Sequence, residues 1–162
     1  MKRLFAVIMV LLTILSFAAC GNSSDSAEPD IIGMPNPFTD FDTLAEAEKQ
    51  TGFDITLPDA IGSSENKIYR AMNDEMLEVI YMNGEDETGR IRKARGSEDI
   101  SGDYNEYAET ETVSVDGIDV LFKGDAGLVK LAVWTNDGYA YSVSTEAGLS
   151  ADGMTALVSA VN

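Results

Sequence analysis

Four cations stand within six residues of this chain: Arg90, Arg92, Lys93 and Arg95. Such a density suits an anion, whether a carboxylate, a phosphate or a teichoic-acid-like polymer. On an extended strand, successive side chains point to opposite faces. Arg90 and Arg92 then share one side, and Lys93 and Arg95 the other. Acids bracket the run, with Glu85, Asp86 and Glu87 before it and Glu98, Asp99 and Asp103 after it. Charge balance is therefore the plainer explanation. A second candidate is Asp99-Ile100-Ser101-Gly102-Asp103-Tyr104-Asn105, which places side-chain oxygens at alternating positions. That invites a Ca²⁺ loop centred on Asp99 and Asp103. The EF-hand pattern fails, because Tyr104 stands where glycine is required and Thr110 where the bidentate glutamate belongs. Capping of backbone amides in an ordered turn is the simpler expectation for these side chains. A third candidate is aromatic: Tyr69, Tyr81, Tyr104, Tyr107, Trp134, Tyr139 and Tyr141. Several of these on one exposed face would stack on sugar rings or peptide, whereas half-buried strand aromatics are the ordinary alternative.

What is missing narrows the chemistry further. The chain has no histidine and one cysteine, Cys20. Ser-His-Asp and Cys-His catalysis, zinc sites of the usual ligand types and histidine-ligated haem are excluded. Carboxylate chemistry and oxygen-ligand metals survive. Yet with 28 acidic residues, facing carboxylate pairs arise by chance, and no pair is marked out. Gly124 and Gly127 belong to a turn between strands, not to a phosphate loop before a helix. No cofactor is implied. Eleven cations against 28 acids leave a net charge of −17, which argues against nucleic acid as a partner.

The chain opens Met1-Lys2-Arg3 and runs apolar from Leu4 to Ala19, broken only by Thr13 and Ser16. This basic start, short apolar run and small-residue end, Ala18-Ala19, have the form of a signal peptide. The next residue is Cys20. The junction resembles a bacterial lipobox, with Phe17 where leucine is usual. The resemblance implies cleavage after residue 19, lipidation of Cys20 and retention at the outer face of the cell membrane. Two acyl chains suffice for stable anchoring where one does not. Loss of Lys2 and Arg3 would leave nine cations against 28 acids, a net of −19. Residues 20–37, rich in Ser, Asn, Asp and Pro, read as a flexible tether. Residues 38–162 are left as one domain.

These candidates must be carried by the elements of that domain. Thr43-x-x-Glu46 has capping-box spacing, so a helix is expected from about Asp42, capped by Asp42 or Thr43 and closed at Gly52. Phe53 to Leu57 alternates and stops at Pro58. From there the apolar period is two rather than 3.6. Strands are expected at Lys67–Met72, Met76–Met82, Thr88–Arg95 and Thr110–Val115. A fifth carries Ile118, Val120 and Phe122 on one face. Leu128–Thr135 is the sixth, with Val129, Leu131 and Val133 on one side. The seventh aligns Tyr139, Tyr141 and Val143. Asp116-Gly117 and Asn136-Asp137-Gly138 are hairpin turns, and Lys123 to Gly127 is another turn. Ser150 caps a last helix, 151–161. Strands grouped between two helices predict an α+β fold. The expected form is a single twisted antiparallel sheet of six to seven strands, with both helices on one face.

Ile91 to Asn105, Leu131-Ala132-Val133-Trp134, Gly138-Tyr139-Ala140-Tyr141-Ser142 and the Glu46–Phe53 stretch together resemble a family of uncharacterised extracytoplasmic domains of Gram-positive bacteria. Members occur as small lipoproteins and as the outer part of membrane-anchored proteins, some of them anti-sigma-factor-like, though direct anti-sigma function is not implied for this chain. The resemblance covers roughly residues 36–162 and carries no catalytic residues with it. The resemblance says little about activity, and the first expectation is a non-catalytic binding or interaction module at the cell envelope, with an envelope protein or a cell-wall polymer as partner. One alternative is a sensory or accessory domain that modulates a membrane-protein partner. Another is a carboxylate-dependent hydrolase, which requires two acids of divergent pKa facing across a cleft.

Overall fold

The computed structural model describes residues 36–162. The expected signal peptide, Cys20 and all of the tether but Asn36 and Pro37 lie outside the described residues. Strand β1, Thr39–Phe41, leads into helix α1, Leu44–Thr51. Thr43 caps the helix: its hydroxyl accepts from Glu46 N, and the Glu46 carboxylate accepts from Thr43 N. Gly52 ends it in the left-handed region at φ 73°, where a side chain is costly. Seven strands follow in sequence, and helix α2, Ala151–Ser159, closes the chain behind its Ser150 cap. The strands are β2, Asn66–Met72; β3, Met76–Asn83; β4, Asp86–Arg95; β5, Glu109–Val115; β6, Ile118–Asp125; β7, Leu128–Asn136; and β8, Tyr139–Leu149.

The eight strands of the described residues form one open antiparallel sheet in the order β1-β2-β3-β4-β8-β7-β6-β5. The sheet is built from two meanders joined where β8 returns to pair with β4. Three hairpins turn on Asp116-Gly117, Ala126-Gly127 and Asp137-Gly138, with both residues at positive φ in each. That is the conformation whose twist matches the flanking strands. The expected α+β class is present, with eight strands in place of six to seven. β1 was missed because three residues carry no readable period.

Register decides what each face carries. Val79, Ile91, Val143, Ala132 and Phe122 lie opposite one another across five strands. They share one hydrophobic cluster with Ala47 of α1 and Met154, Leu157 and Val158 of α2. Phe53, Ile55 and Ile61 fill the same cluster from the irregular segment between α1 and β2. On the opposite face a polar row crosses the sheet: Asp40, Arg70, Glu78, Arg92, Ser142. It continues as Val133, Leu121 and Thr112.

One expected alignment is overturned. Val129, Leu131 and Val133 do not share a side. The register breaks between Val129 and Leu131, where β7 carries one residue more than β6, Lys130, and one extra residue reverses the alternation. Val129 packs against the helix-side cluster, while Leu131, fully buried, pairs with Ser144 on the other face. The same irregularity, met from β6 at Lys123 and Gly124, corrects the turn as well. Gly124 lies inside β6, and the chain reverses at Ala126-Gly127.

Candidate functional site: a buried carboxylate among three arginines

In Met76-Leu-Glu-Val-Ile-Tyr-Met82 a single acid interrupts an apolar strand. That acid, Glu78, is fully buried, on the face away from the helices. A bare carboxylate there would be very costly. The register supplies three guanidinium groups instead. Arg70 on β2 donates to Glu78 Oε1 at 3.1 Å. Arg90 and Arg92 on β4 donate to Oε2 at 3.1 and 2.7 Å. The outer arginines have second partners, Asp40 for Arg70 at 2.9 Å and Glu87 for Arg90 at 2.6 Å. Partial burial acts to lower the Arg90 pKa, but hydrogen bonds and charge from Glu87 and Glu78 outweigh it and hold that pKa above its ordinary value.

The segment between β4 and β5 closes over the cluster. Arg92 Nη1 donates to the carbonyls of Ile100 and Ser101 at 3.0 and 2.6 Å. Gly102, at φ +64°, lies so close that a Cβ there would stand 2.5 Å from Arg92 Nη1. From the other side the Phe38 ring lies 5.8 Å from the Arg70 guanidinium and 5.9 Å from that of Arg92. A cleft of about 340 Å³ opens beside this cluster. Its cations are Arg90, Arg92 and Lys130, and its acids are Glu87, Asp103 and Glu146. Thr145 also borders it, and its buried hydroxyl is without a hydrogen-bond partner among the described residues.

The four cations singled out from sequence are thus divided between two faces, as the alternation required. Arg90 and Arg92 enter the carboxylate cluster. Lys93 is buried on the helix side, where its ammonium donates to Asp54 O at 2.8 Å. It also stands over the Tyr139 and Tyr141 rings at 4.8 and 5.1 Å. Arg95 reaches the last carbonyls of α1, donating to Thr51 O at 3.4 Å, and lies over Phe53. A cation suits that helix end. The partners also differ from those read off the sequence. Of the flanking acids named there, Glu87 alone pairs with an arginine, and Glu78 is the central acid.

Asp99 and Asp103 each shape the backbone. Asp99 accepts from Ser101 N at 2.9 Å and pairs with Lys123 at 3.3 Å. Asp103 accepts from Asn105 N at 2.8 Å and from the Tyr107 hydroxyl. Partial burial acts to raise the Asp103 pKa, but these hydrogen bonds outweigh it and the carboxyl lies below the usual range. Burial, together with the same contact, pushes the Tyr107 phenol up to about 12. Among the described residues no group of three or more acids is gathered as a metal site.

The aromatic surface does not form. Tyr81, Trp134 and Tyr141 are buried, the last two as a parallel cross-strand stack at 5.1 Å. Tyr104 is 95% exposed, alone of the seven, at the rim of the cleft. The sequence reading missed Glu78. Its signal was the isolated carboxylate in an apolar strand, which has to be paired if that strand is central.

A family model described as a domain of unknown function (DUF4367) matches residues 51–161. No curated protein and no solved structure matches the chain.

Proposed function

We propose a function for this chain, which belongs to the DUF4367 family of domains of unknown function. It is a lipoprotein held at the outer face of the cell membrane through Cys20, and its domain is a non-catalytic binding or interaction module at the cell envelope. The anchor rests on the basic start, the apolar run and the cysteine that follows Ala18-Ala19. The module rests on the state of the carboxylates in the cleft. Glu87 is ion-paired with Arg90, and Asp103 accepts from Tyr107 and Asn105. Glu146 is exposed. A carboxylate-dependent hydrolase needs one acid kept protonated by an apolar setting beside a second that is ionised. None of the three has that setting. The cleft's two arginines likewise serve the fold, because Arg90 and Arg92, with Arg70, enclose Glu78. What supports binding over catalysis is a sheet whose buried carboxylate, Glu78, is already held by three arginines.

The test is cross-linking in native envelopes followed by capture of the full chain. The expected result is membrane retention and capture of one envelope component. Cys20→Ala is expected to release the protein from the membrane fraction. Unchanged retention of that variant removes the anchor from the proposal. Turnover of a wall fraction by the purified chain, with no component captured, overturns the module.

A further inference from the structure

The sheet has two edges of different kinds. β1 is three residues long, and the chain enters the described domain beside it. β5, at the opposite edge, has seven residues in unbroken register with β6. Seven strand spacings of about 4.8 Å separate the two edges by roughly 34 Å. An edge strand leaves about half of its backbone N–H and C=O groups without a strand partner, a template for an added strand. Natural edges are blunted by proline, bulges, short length or charged side chains. Of these β5 has only charge, at Glu109 and Glu111 of Glu109-Thr-Glu-Thr-Val-Ser-Val115, and Glu109 to Thr112 are all exposed.

Charge is what this edge does carry. Glu106, Glu109, Glu111, Asp116, Asp119 and Asp125 occupy β5, β6 and their flanks. Lys123, the cation of that stretch, is paired with Asp99. A second copy of a chain with net charge −17 is disfavoured at such an edge, whereas a basic segment is attracted. The helix-side residues of β5 also change character along its length. Val113 and Val115 pack into the core. Glu109 and Glu111 border an open groove of about 600 Å³, walled by Phe122, Leu128 and Val129. Leu128 is 42% exposed, and Glu109 accepts from Gly127 N at 3.0 Å.

We propose that β5 is a docking edge for an extended, basic segment of a partner protein, which adds to the sheet as a further strand. Its alternate lysines or arginines lie on the helix side, where their charged ends meet Glu109 and Glu111 and their methylene stems cover the Phe122-Leu128-Val129 groove, while the residues between them face the other side. Backbone pairing supplies affinity and the groove supplies selectivity, as in other strand additions. This deepens the interaction-module reading and rests on it.

The experiment uses the full chain in detergent and a short capped peptide of alternating lysine and valine, with a glutamate-for-lysine peptide as control. The basic peptide is expected to bind and to slow amide exchange along β5. Glu111→Lys, at an exposed position, is expected to weaken binding about tenfold or more. Asp74→Lys, at the β2–β3 turn, makes the same change of net charge and is expected to leave binding unaltered. Equal weakening by both variants, binding without β5 protection, or no binding at all overturns the docking edge. So does β5 protection in the absence of peptide, which would assign the edge to a second copy. Envelope cross-linking of the Glu111→Lys chain keeps the two readings apart. A component captured as before, with no peptide bound, retains the module and discards the edge. No component captured by either chain discards both.

Discussion

Replacing Glu78 with glutamine keeps the size of the side chain and removes its charge. Three guanidinium groups then face one another across β2, β3 and β4 with no anion between them. Breaking a buried ion cluster by deleting one partner costs about 3–5 kcal/mol, and urea unfolding of Glu78→Gln is expected to show a loss in that range. A loss under about 1 kcal/mol would mean that Asp40 and Glu87 alone neutralise the arginines. A second residue-scale expectation concerns pH. The folded pKa of Asp103 is lowered, so its contribution is present above the unfolded value and is lost as pH falls through the folded one. The folded pKa of Tyr107 is raised, so its contribution is present below the unfolded value and is lost as pH rises towards about 12. The Asn105 amide, which donates to Asp103, is expected to stay protected from exchange between those limits and to lose protection in acid. Protection unchanged at pH 2 would show that the turn holds without the carboxylate.

At the scale of elements, the bulges re-aim side chains. Gly124 of β6 lies opposite the bulge in β7, and a Cβ there would stand 1.9 Å from Leu128 O and 2.9 Å from Leu128 C. Backbone does not yield as a flexible side chain does. Gly124→Ala is expected to destabilise by about 2 kcal/mol or more, against about 1 kcal/mol for Gly127→Ala, which meets nothing within 4 Å but sits at φ +76°. Thermal unfolding of the pair checks the order, and a loss for Gly124→Ala no larger than that for Gly127→Ala would show that the Leu128 backbone moves aside. Both helices were legible because their ends carry side-chain signals: Thr43 with Glu46, Gly52 and Ser150. Seven strands were legible from alternation and from Asp-Gly turns. β1 and the bulge in β7 were not. A three-residue strand is defined by pairing with its neighbour, and a bulge is a mismatch in length between two strands, which neither strand states by itself.

At the scale of the molecule, charge is unevenly distributed. Arg70, Arg90, Arg92, Lys93 and Arg95 lie on β2 and β4, while β5 and β6 carry acids with Lys123 alone among them. Exposed like charges destabilise the compact state, and salt screens them within about 10 Å at 0.1 M. The buried Glu78 cluster is screened far less. Raising salt from low to moderate concentration is therefore expected to increase Tm by about 2–5 °C. A fall in Tm would show that exposed ion pairs outweigh the repulsion.

Alternation, turn residues and capping pairs determined the α+β class, the two helices and seven of the strands, since each is a property of neighbours in the chain. The lack of histidine likewise removed whole classes of chemistry before any fold was known. Alternation also placed Arg90 and Arg92 on one face and Lys93 and Arg95 on the other. Only the tertiary structure decided what those side chains meet. Glu78 faces Arg92 because β3 and β4 pair in one register, and a slip of a single residue would turn the carboxylate towards the helices. The same holds for Lys93 among the aromatic rings and for β5 at the free edge. Register and strand order arise from burying the whole helix-side face at once, a global condition that no local stretch of sequence expresses.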